Sequence, residues 1–117
     1  MGFENVESTN FPVHWISKDA RYKIIELMLS TRSITELARI LAVSPTAVRK
    51  YTKRISHPSD EVLAKAIESS ATYERDTIIS ILINDLVEAI DRLYRLVDER
   101  HKQEIKAKLS SIIGSQA

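Results

Sequence analysis

Two helix-start signals lie so close together that they fix the middle of this chain. Ser33-Ile34-Thr35-Glu36 is a capping box, in which the Ser and Glu side chains each satisfy an amide hydrogen that the first turn of a helix leaves without a partner. Further on, Ser44-Pro45 offers a second cap, with proline at the one helical position where no amide hydrogen is missed. Ile34, Leu37, Ala38 and Leu41, spaced i, i+3, i+4, i+7, form one buried stripe between the two signals. Only Ala42-Val43 is left to join the helices. So short a link does not let them fold back antiparallel, and they are predicted to cross steeply.

The rest of the chain is also read as helix. Ser17 caps a first helix from about Asp19 to Ser30, with Ala20, Ile24, Leu27 and Met28 as its stripe. Pro58-Ser59-Asp60-Glu61 opens a fourth helix carrying Val62, Leu63, Ala66 and Ile67, with acids in the first turn favoured by the helix dipole. After a break at Ser69-Ser70-Ala71-Thr72, no Pro or Gly occurs from Tyr73 to about Arg100. There Ile79, Ile83, Leu86, Ile90, Leu93 and Val97 step by 4, 3, 4, 3, 4 as a coiled-coil seam, widened by Leu82, Ala89 and Leu96. A last helix, about Gln103 to Ile113, offers Ile105, Leu109, Ile112 and Ile113. The expectation is an all-α protein: an N-terminal arm over 1–18, a four-helix head over 19–69, and a helical dimerisation region over 70–117. Phe11, Val13, Trp15 and Ile16 of the arm are expected to pack on the first helix.

Composition narrows the function. The 117 residues include no cysteine, which removes disulfides, thiolate nucleophiles and cysteine-bound zinc, and fits a reducing compartment. Two Gly and three Pro leave little for phosphate-cradling loops. The N-terminus lacks the pattern of a secretory signal, and no apolar run approaches the ~20 residues of a membrane span. A soluble, cytoplasmic protein is expected. His14, His57 and His101 lack metal-ligand spacing, and no nucleophile–base pair is visible, so neither an enzyme nor a cofactor or small-molecule ligand is expected. The net charge of +1 means that any nucleic-acid surface must come from local clustering.

Such a cluster lies on the third helix, about 45–55. Thr46, Arg49, Lys50 and Lys53 share one face, while Val48, Tyr51 and Ile55 share the opposite one. Arg49, Lys50, Lys53 and Arg54 put four cations in six residues without an acid. A short capped helix with a basic front and an apolar back suits entry into a DNA major groove.

The run from Ile34 to Tyr51 resembles the helix-turn-helix signature of lambda-repressor-like transcriptional regulators. Ala38 matches the small residue at the helix contact, Val43 the apolar turn residue, and Val48 and Tyr51 the buried positions of the recognition helix. His57 to Leu63 resembles the family's entry into its fourth helix, so the resemblance covers roughly residues 19–69. Ala42 stands where the family usually has glycine, and alanine is strained in a left-handed turn. The resemblance implies that Ser44, Thr46, Arg49 and Lys50 read bases, with Arg49 matched to guanine by its planar fork. Lys53 and Arg54, with Ser33 and His57, are the expected phosphate contacts. The partners expected are double-stranded DNA and a second copy bound through Ile79, Ile83, Leu86, Ile90, Leu93 and Val97. A dimeric regulator of transcription leads this reading. An accessory DNA-binding protein for recombination, partition or transposition stays open beside it, as does a helical protein-interaction adapter.

Overall fold

Serine side chains open four of the helices that follow. The computed structural model describes residues 11–114, and among them are six α-helices, one short 3-10 turn (Val13–Trp15) and no strand. In α1 (Lys18–Leu29), Ser17 accepts the Ala20 amide hydrogen at 3.1 Å. In α2 (Ile34–Leu41) both halves of the capping box form, at 3.1 Å from the Glu36 amide to Ser33 and 3.0 Å from the Ser33 amide to Glu36. Ser44 caps α3 (Pro45–Thr52) and Ser59 caps α4 (Asp60–Glu68) in the same way. Each such cap stabilises its helix by about 1 kcal/mol over alanine.

Two helix ends turn through left-handed residues that are not glycine. Ala42 (φ 57°) follows α2, where the Val43 amide donates to the Ala38 carbonyl at 3.0 Å and the Ala42 amide to Arg39 at 3.2 Å. Arg54 (φ 58°) repeats the pattern after α3, with Ile55 donating to Lys50 at 2.9 Å and Arg54 to Tyr51 at 3.1 Å. Both are Schellman closures, which satisfy the last carbonyls and reverse the chain. The second corrects the sequence reading. α3 stops at Thr52 rather than near residue 55, and Ile55, expected on the buried face, is 67% exposed.

The core of the head is built from Ile24, Ile25 and Met28 of α1, Leu37 and Leu41 of α2, Val48 and Tyr51 of α3, and Leu63 and Ile67 of α4. α1 is rolled slightly from its expected setting: Ile25 and Arg21 are buried, while Leu27 is only half-buried. The arm also differs from expectation. Its 3-10 turn lies against α4 as well as being held by Arg21 of α1, with Ile16 buried but Trp15 72% exposed. Residues 1–10 of the arm lie outside the described residues.

α5 spans Thr72–Leu96 and α6 Glu99–Gly114. The long helix therefore ends earlier than its apolar spacing predicts, and Val97, the last seam residue, lies outside it. The reason is Asp98, whose carboxylate accepts the His101 amide hydrogen at 3.0 Å and so caps a new helix. The chain divides into two compact units, 1–85 and 86–117. The first takes in the opening turns of α5, beyond the boundary expected at residue 69. Glu74, Ile78 and Leu82, at four-residue steps, are its buried face there. No helix among the described residues is long and apolar enough to cross a membrane.

Candidate nucleic-acid interface

α3 is held by its back and open at its front. Val48 is fully buried and Tyr51 nearly so, and burial pushes the Tyr51 hydroxyl pKa up. Ser44, Thr46, Arg49 and Lys50, the four residues expected to read bases, are all exposed; Thr46, Arg49 and Lys50 share one face by helical spacing, and Ser44 is the N-cap of α3. Lys53, just past the last turn, is exposed as well. From Ala42 to Ser59 the chain carries four cations and no acid. Among the described residues, no ion pair involves Arg49, Lys50 or Lys53, whereas Arg21, Lys23, Arg32, Arg54, Arg92 and Arg95 are all paired.

Arg54 is the exception within the cluster. Its guanidinium lies 3.2 Å from Asp19 and 3.5 Å from Glu26, both on α1, and 4.8 Å from the centre of the Tyr22 ring. Lys23 and Arg54 together hold the Asp19 carboxyl below its ordinary value. Arg54 is thus engaged by α1 rather than free for phosphate, and it ties the end of α3 to that helix.

The remaining phosphate candidates stand apart in character. Ser33 is exposed, but Glu36 already takes its amide hydrogen and the Glu36 carboxyl is held below its ordinary value by that bond. The Ser33 hydroxyl also favours the Glu36 carboxylate, so Ser33 is engaged within its own capping box. His57 is exposed, with Nδ1 3.1 Å from the Pro58 carbonyl oxygen.

Two arginines that support this wall were not picked out from the sequence. Arg21 is 5% exposed and donates to the carbonyls of Ile16, Pro58 and Val13 and to Asp60, at 2.8–2.9 Å. It fastens the segment between α3 and α4 to α1, and with His14 it holds the Asp60 carboxyl below its ordinary value. Arg32 makes a bidentate pair with Glu74 at 2.7 and 2.9 Å; Glu74 is 1% exposed and also accepts the Ala71 amide hydrogen. A third tie joins Asp85 of α5 to the amide and hydroxyl of Ser17. The signal for Arg21 was present: it falls among Ala20, Ile24 and Ile25, where a cation must find several acceptors. Nothing local marks Arg32 and Glu74, 42 positions apart.

Of the expected dimerisation residues on α5, Ile79 and Leu86 are half-buried, and Ile83, Ile90 and Leu93 are exposed. Val87, beside them, is 57% exposed. No group of metal-binding side chains occurs among the described residues. Comparison with family models, with curated proteins and with solved structures found no match.

Proposed function

We propose that this chain is a sequence-specific double-stranded DNA-binding protein, a dimeric cytoplasmic regulator of transcription rather than an enzyme. α2 and α3 act as a helix-turn-helix, with α3 in the major groove. The observation that carries this reading is the wall of α3. Arg49, Lys50 and the hydroxyl of Thr46 stand unpaired on a short helix whose opposite wall is core, with unpaired Lys53 at its C-cap, in a stretch without acids. Cations left without acids are placed to meet phosphates and base edges, and a helix fixed by its back presents them in one register. Arg49 reads guanine through its fork, and Thr46 and Lys50 contact neighbouring bases. Lys53 meets the backbone, while Arg54 sets the end of α3 from behind. The likeness of Ile34 to Tyr51 to lambda-repressor-like regulators supports the same docking.

Selecting bound duplexes from a random-sequence pool tests the proposal. An enriched motif containing guanine is expected with the native chain, and its guanine preference disappears with Arg49→Ala. A pool that stays random after repeated rounds overturns sequence-specific recognition.

A further inference from the structure

α6 raises a problem of stability within the second unit. It is 16 residues long, a length at which an isolated helix is marginal in water and depends on packing. Yet from Leu86 to Gly114 no residue is buried. Ile105 and Leu109 of α6 meet Val87, Ile90 and Tyr94 of α5, but along an open cleft of about 230 Å³ rather than a core. Leu93, Ile112 and Ile113 remain more than half exposed. A helical pair in this state has the apolar surface of half a bundle.

We propose that this unit pairs with the same unit of a second copy of the chain. The two α5–α6 pairs then complete a four-helix bundle whose core draws on α6 as well as α5. Charge favours a copy as the occupant. Residues 86–117 hold six cations and five acids, a net +1, so two copies meet without appreciable repulsion. Six of those charges are engaged at home: Glu88 pairs with Arg92, Asp91 with Arg95 at 3.1 Å, and Lys102 and Lys106 lie 5.5 and 5.9 Å from the centre of the Tyr94 ring. The cleft lining is mostly apolar, and its two charged members are engaged within the unit, Asp91 by Arg95 and Lys106 over the Tyr94 ring. Exposure agrees as well: Ile90 and Leu93 of α5 and Ile113 of α6 stand open, so a second copy has apolar side chains to cover on both helices. A seam made by α5 alone would leave Ile112 and Ile113 in water.

This inference rests on the dimer proposed above but not on DNA, and its test contains none, so it can fail while DNA recognition stands. Sedimentation of the full chain at tens of micromolar is expected to give the mass of a dimer. On dilution to nanomolar concentration, the α6 amides are expected to lose protection against hydrogen exchange while those of α1 to α4 keep it. Ile105→Ser with Leu109→Ser should weaken dimerisation by at least about tenfold, and so should Leu93→Ser, with α1 to α4 still protected. A monomer at tens of micromolar overturns the pairing. A dimer that responds to Leu93→Ser but not to the α6 pair is a single-helix seam, and overturns the bundle.

Discussion

Ala42 carries a strain that its side chain does nothing to offset. Its φ of 57° costs an L-residue roughly 1–2 kcal/mol, and glycine removes that cost at some expense in unfolded-chain entropy. Ala42→Gly should therefore stabilise the chain by about 0.5–1 kcal/mol, read as a higher urea midpoint at unchanged slope. Arg54 has the same backbone, but glycine there would also lose Asp19, Glu26 and Tyr22, so no gain is expected. The unpaired cations of α3 divide differently. Arg49→Ala should cost about 1–3 kcal/mol on the selected motif and relax one base position. Lys53→Ala should weaken all duplexes alike and lower the salt slope by about one. Affinities for matched and mismatched duplexes across a salt series separate the two, and equal loss of preference from both would refute the division.

At the scale of the helix, α3 depends on one buried wall. Val48 has no exposed surface, and Val48→Asp would bring an unpaired carboxylate into the core where α3 packs on α1 and α2. The cost is about 4 kcal/mol, a large part of what a domain this size possesses. Most of the head should unfold near neutral pH, and a variant with native helicity and an unchanged melt would show that Val48 faces elsewhere. This wall was legible in the sequence because a 3.6-residue period and two caps define it locally. So were the starts of the first four helices, each opened by a serine whose bond reaches only three residues ahead. What escaped was set by tertiary partners or by helix ends. Arg54 looked like a free cation until a left-handed turn brought it to α1. The apolar steps of 79 to 97 ran on past a helix that Asp98 closes. The inner face of α5 escaped because Glu74, a charged residue, begins it, and only Arg32 makes that position a buried one.

For the whole molecule, the Arg32–Glu74 pair sets how acid acts on the first unit. The Arg32 guanidinium holds the Glu74 carboxyl below its ordinary value near 4.5, so the unfolded chain takes up the proton first. The pair's contribution is complete above that value and is lost as pH falls through the lower, folded one. Glu74→Gln should cost roughly 3 kcal/mol at pH 7 and flatten the stability profile below pH 5. Melts of both chains between pH 3 and 7 check the sign, since parallel curves would mean that Glu74 does not drive the acid loss. The largest-scale consequence concerns the DNA site. On the proposed reading one head would offer few base contacts, and joining two through the second unit would raise the effective concentration of the second head to roughly the millimolar range without new contacts. A two-fold pair of heads reads an inverted repeat with half-sites about one helical turn apart, or a multiple of it. Affinity for the full repeat should exceed that for one half-site by about 100-fold or more in the native chain. With Leu93→Ser together with Ile105→Ser and Leu109→Ser, the two affinities should converge while half-site binding is kept. Titrating both duplexes with both chains measures this directly. A triple variant that retains the full-site advantage would show that the heads are paired by some other surface, and a native chain with no such advantage would mean that each head acts alone.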